Sequence, residues 1–79
     1  MRAIRRIGKT PAERGDTTGV SGSPDLLELD DGSFAVIGPD ITDELGRRPL
    51  VDANCADNER IVRVPRHMLI AAKKYIPDD

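Results

Sequence analysis

Apolar positions fall in three groups along the chain. Leu26-Leu27-Glu28-Leu29 is followed by Asp30-Asp31-Gly32-Ser33 and then by Phe34-Ala35-Val36-Ile37. Two short apolar runs around an Asp-Gly dipeptide predict a β-hairpin, because glycine accepts the positive φ of a tight turn. With Asp31-Gly32 as the two loop residues, Leu29 faces Phe34, Leu27 faces Val36, and Leu26 faces Ile37. One sheet face then carries Leu27, Leu29, Phe34 and Val36, and this face is expected to point inward. The other face carries Leu26 and Ile37 at one end, with Glu28 and Ala35 in the middle.

The third group begins at Arg60-Ile-Val-Arg-Val64, which alternates and predicts a third strand, with Ile61 and Arg63 on one face. Pro65 ends that strand and suits the first turn of a helix. From Arg66 to Ile76 the spacing is helical: Leu69, Ala72 and Ile76 align, with Met68 and Tyr75 beside them. Lys73 and Lys74 fall where positive charge complements the helix dipole, and Pro77 stops the helix. Between the hairpin and the third strand, Gly38-Pro39 closes the ladder, and Asp40 to Gly46 predicts one helical turn capped by Asp40. Residues 49–60 read as a long polar loop that is mobile or packs Leu50 and Val51 on the sheet edge. The expected fold is therefore α+β: a small three-stranded antiparallel sheet, with one C-terminal helix across one face, over residues 25–76.

Residues 1–24 carry no such period. Gly8, Pro11, Gly15, Gly19, Gly22 and Pro24 interrupt them, so they are expected to form a flexible, disordered basic N-terminal tail. Charge sharpens this division. Arg2, Arg5, Arg6, Lys9 and Arg14 against Glu13 give residues 1–14 about +4 of a net charge of −2. The folded remainder is acidic, which argues against a nucleic-acid face on the domain itself. The tail could still touch phosphates through Arg2, Arg5, Arg6 and Lys9, although no aromatic residue is interleaved there to stack bases.

Composition sets the next constraint. The 79 residues include one Phe, one Tyr, no Trp and one Cys. A domain this small buries little surface, and the lone Cys55 excludes an internal disulfide. A partner protein or a second copy is the remaining common support. Cys55 and His67 are the sole nucleophile and base candidates, and no third group is patterned to orient them. Asp40, Asp43 and Glu44, like Asp30 and Asp31, lack the spacing of a calcium loop and read as cap and turn residues. No Gly-rich phosphate motif is present, so no cofactor, metal or small-molecule ligand is expected. No apolar run is long enough to cross a membrane, and no signal peptide is evident; with one thiol, a cytoplasmic location is expected.

The run Ser23-Pro-Asp-Leu-Leu-Glu-Leu-Asp-Asp-Gly-Ser-Phe-Ala-Val-Ile-Gly38, followed by Glu59-Arg-Ile-Val-Arg-Val-Pro-Arg66 and a short helix, resembles small actinobacterial proteins encoded beside helix-turn-helix regulators. More distantly it is similar to the BldB-like family. The resemblance implies a non-enzymatic accessory protein that binds a regulator, and it implies no particular site residues. From the residues themselves, the partner surface or homodimer contact is expected on the sheet face that one helix cannot cover, at Leu26, Ile37 and Ile61, with Arg63 on its border.

Overall fold

The computed structural model describes residues 1–15 and 24–78. Its sheet is three-stranded and antiparallel, in the order β1 (Ala3–Arg6), β2 (Asp25–Leu29), β3 (Phe34–Ile37). Short helices follow β1 and β3: α1 (Pro11–Arg14) and α2 (Thr42–Leu45). The chain ends in α3 (Arg66–Ala72) and a 3-10 turn, Lys73–Tyr75. The α+β layout of three antiparallel strands and a short C-terminal helix is thus present.

The third strand differs from expectation. Residues 60–64 form no strand; Val62 makes a single bridge to Asp40, flanked by bonds from Ile41 N–H to Ile61 O and from Arg63 N–H to Pro39 O. Pro39 has no N–H to extend that ladder. The added strand comes instead from the segment read as tail. Ala3 pairs with Leu29, Arg5 with Glu28 and Arg6 with Leu27, with a bulge between Ala3 and Arg5. Opposite charge locks it in place. Arg5 Nε lies 2.6 Å from Glu28 Oε1, and Arg6 Nε lies 2.9 Å from Asp25 Oδ2. Ile7 follows, bonded through its N–H to Leu26 O and 2% exposed. A disordered tail over residues 1–24 is therefore corrected at residues 3–7. Ahead of α1, Thr10 and Glu13 form a reciprocal capping box. Glu13 N–H donates to Thr10 Oγ1, and Thr10 N–H donates to Glu13 Oε1. Residues 16–23 of that expected tail lie outside the described residues.

The hairpin also sits one residue away from the expected register. Leu26 pairs with Val36, Leu27 with Ala35 and Glu28 with Phe34. The cause is a three-residue turn, Asp30-Asp31-Gly32, in place of two. Gly32 has φ of +87° and donates to Leu29 O, and Leu29 N–H donates to Ser33 O. Asp31 Oδ1 accepts from Ser33 N–H and fixes the bulged form of the turn. A one-residue slip exchanges faces. Leu26 now points toward α3 and joins Ile7, Met68 and Ala72 in the buried core, with Val64 packed against it. Phe34, expected at the centre of the core, is 39% exposed. Met68 and Ala72, one helical turn apart, form the buried stripe of α3; Leu69 and Ile76 are exposed.

Between β3 and α3 the chain is held by polar groups. Asp40 Oδ1 accepts from Thr42 N–H at the start of α2, and Gly46 N–H donates to Thr42 O at its end. The buried Thr42 hydroxyl accepts from Ile61 N–H at 2.7 Å. Arg47 pins the following loop, its Nη1 donating to the carbonyl oxygens of Cys55, Ala56 and Glu59.

Candidate functional site

The expected docking residues do not come together. Leu26 is in the core, 5% exposed. Ile37, paired with Asp25, lies on the opposite sheet face from Leu26 and is 48% exposed. Ile61 is half-buried and lines a groove of 480 Å³ with Pro49, Cys55 and Arg60. Arg63 is exposed beside Pro39. The patch of Leu26, Ile37 and Ile61 is therefore corrected: the one-residue change of register sends Leu26 inward, and residues 60–64 are not in the sheet.

The basic arm fares similarly. Arg5 and Arg6 are occupied by Glu28 and by the buried Asp25, which leaves Arg2 and Lys9 exposed. Arg14 is also engaged, through the carbonyl oxygens of Lys9 and Pro24. These side chains hold the N-terminal segment onto the fold.

An apolar surface that sequence reasoning placed elsewhere takes their place. On the sheet face away from α3 stand Leu27, Leu29, Ala35 and Ile37, none of them buried. On the near face, Phe34 and Val36 of the edge strand β3 are 39% and 41% exposed. Among the described residues, thirteen large hydrophobic side chains are exposed against four buried hydrophobic residues. Exposed apolar residues scattered singly are ordinary; of these thirteen, Phe34, Val36 and Ile37 lie together on β3.

Two further features line clefts. Ile7, Met68, Ala72 and Tyr75 floor a cleft of 320 Å³, with Lys9 and His67 on its rim. Gly8 allows this close packing: its φ is +78°, and a side-chain carbon there would stand 3.3 Å from Tyr75 Cδ2. Cys55 lines the other groove, its Sγ 3.6 Å from Arg47 Nη1. Cys55 and His67 thus belong to different surfaces. Three carboxylates are held below their ordinary range by hydrogen bonds they accept: Glu13 from Thr10 N–H, Asp31 from the Ser33 hydroxyl and N–H, and Asp40 from Thr42. Each serves a cap or a turn. Among the described residues, no group of three or more His, Cys, Asp or Glu could hold a metal ion, and no helix is long and apolar enough to cross a membrane.

Comparison with family models, with curated proteins and with solved structures finds no match to this chain. The surface chemistry therefore carries the functional argument.

Proposed function

We propose that this chain is a small, non-enzymatic cytoplasmic interaction protein, working as a homodimer or as an accessory partner whose sheet is covered by another protein. The observation that carries the reading is the apolar surface of β3: Ile37 exposed beside the half-buried Leu27, Leu29 and Ala35 on the face that also holds the Arg6–Asp25 ion pair, and Phe34 and Val36 exposed on the other face. Among the described residues the core has four buried hydrophobic residues, small support for a chain of this length, and covering the sheet would add to it. That the covering protein is a transcriptional regulator rests on the resemblance of residues 23–76 alone. The alternative, a basic arm for nucleic acid, is left with Arg2 and Lys9 once Arg5 and Arg6 are bonded within the sheet.

Light scattering on the full chain, together with co-purification of a tagged copy from its native cells, tests the reading. The expected result is a solution mass above the 8.6 kDa of one chain, or a stoichiometric complex, and loss of either on Ile37→Lys with an unchanged far-ultraviolet spectrum. The reading fails if the chain stays monomeric at about 1 mM, where even an association of −4 kcal/mol would show, and nothing co-purifies with it.

A further inference from the structure

The two edges of the sheet are built differently. β1 is blunted: it carries a bulge between Ala3 and Arg5 and places Arg5 and Arg6 along its length. Bulges and charges are the usual means of keeping an edge from pairing with another chain. β3 has neither. Its sequence is Phe34-Ala35-Val36-Ile37, uncharged, free of proline and regular in register.

The outer backbone of β3 is also available. Leu29 N–H bonds to Ser33 O, so the alternation of an antiparallel ladder turns the amides and carbonyls of Ala35 and Ile37 toward β2. Those of Phe34 and Val36 point the other way, and among the described residues no backbone bond reaches them.

We infer that β3 pairs antiparallel with β3 of a second copy, centred on Ala35, to give one continuous six-stranded sheet. This rests on the interaction reading above and names its partner. The register follows from which backbone can pair. With Ala35 facing its own copy, Phe34 faces Val36 of the second copy and the reverse, and both pairs exchange ladder bonds in extended backbone. A centre on Phe34 would pair Val36 with Gly32, whose φ of +87° is outside any strand. A centre on Val36 would pair Phe34 with Gly38, which lies beyond the end of β3.

The Ala35 centre is self-complementary, as a two-fold contact requires. Phe34 packs beside Val36 of the other copy twice, an aromatic–β-branched cross-strand pair. Charge is the one term that opposes it: Asp30 of each copy falls opposite Asp40 of the other, a like-charge pair that Arg60, 3.8 Å from Asp40, offsets.

Residues facing each other at a position without ladder bonds have side chains close enough for a disulfide. The test is therefore Ala35→Cys in the full chain carrying Cys55→Ser, under mild oxidation. Most of the chain should become a disulfide-linked dimer. Val36→Cys in the same background should cross-link at least tenfold more slowly, because the two copies of residue 36 are displaced along the strands. Val36→Lys should weaken dimerisation at least tenfold with an unchanged far-ultraviolet spectrum. A dimer in which Ala35→Cys stays reduced, or in which Val36→Cys cross-links equally fast, overturns the edge pairing while leaving the interaction reading intact. A chain that is monomeric at about 1 mM overturns the edge pairing whatever other protein binds it.

Discussion

The half of the molecule made by β1, β2 and α3 and the half running from Gly38 to Val64 are held together by different means. The first is closed by Ile7, Leu26, Met68 and Ala72, with ion pairs only along its border. The second has the buried Thr42 at its centre and is organised by side chains bonded to backbone: Asp40 and Thr42 at α2, then Arg47 and Glu59 around residues 53–59. None of its large apolar residues is fully buried: Ile41, Ile61 and Val64 are half-buried, Val51 is 97% exposed and Leu50 is 67% exposed. Apolar burial is cooperative and makes a fold. Hydrogen bonds that water can replace shape a loop with little net free energy. The first half should therefore set global stability, and the second should open locally beneath it.

The sharpest way to break this contrast is Met68→Ala. Removing a fully buried side chain costs about 2–5 kcal/mol, comparable to the whole stability of a small domain. Chemical denaturation should show a lower midpoint or no folded baseline. Gly8→Ala comes next. A left-handed conformation costs an L-residue about 1–2 kcal/mol, and the new methyl meets Tyr75 at 3.3 Å. The variant should melt lower while keeping its strand signal. On the other side, Arg47→Ala should cost about 1 kcal/mol or less, since water takes over at exposed carbonyls. Its mark should be local: hydrogen exchange at the amides of Cys55 and Glu59, now bonded to Arg47 O and Ala56 O, should speed up while β2 stays protected.

The smallest effect is electrostatic and spans both halves. Glu13, Asp31 and Asp40 have folded pKa values below their ordinary ones. The unfolded chain then binds more protons than the folded one. The stability these groups give is full above the ordinary values and is lost as pH falls through the folded ones, below ~pH 4. Urea midpoints should drop between pH 5 and pH 3, and Glu13→Gln with Asp40→Asn should flatten that drop.

Much of the fold is legible in the sequence. The hairpin, the turn of helix after Asp40, and a C-terminal helix stopped before Pro77 each follow from local chemistry. The register does not. Leu26-Leu27-Glu28-Leu29 and Phe34-Ala35-Val36-Ile37 place apolar residues on both faces, so a slip of one residue has little cost in the pattern, and turn length decides. β1 was hidden for another reason. Arg5 and Arg6 read as a solvated arm until Glu28 and Asp25 are seen across from them. The signal for α1 was present, since Thr10-Pro11-Ala12-Glu13 has the capping-box spacing with proline at the first helical position. The proposed docking surface follows the register, and so it could not be placed before the register was known.

Hydrogen exchange at the Phe34 and Val36 amides, measured as protein concentration is raised, tests the central claim most directly. These two amides face the open edge of β3, whereas those of Ala35 and Ile37 face β2. If β3 is where a second copy docks, Phe34 and Val36 exchange freely in dilute solution and become protected together as concentration rises, with Ala35 and Ile37 protected throughout. If Phe34 and Val36 exchange equally fast at the lowest concentration and at about 1 mM, the edge does not pair and the account is contradicted.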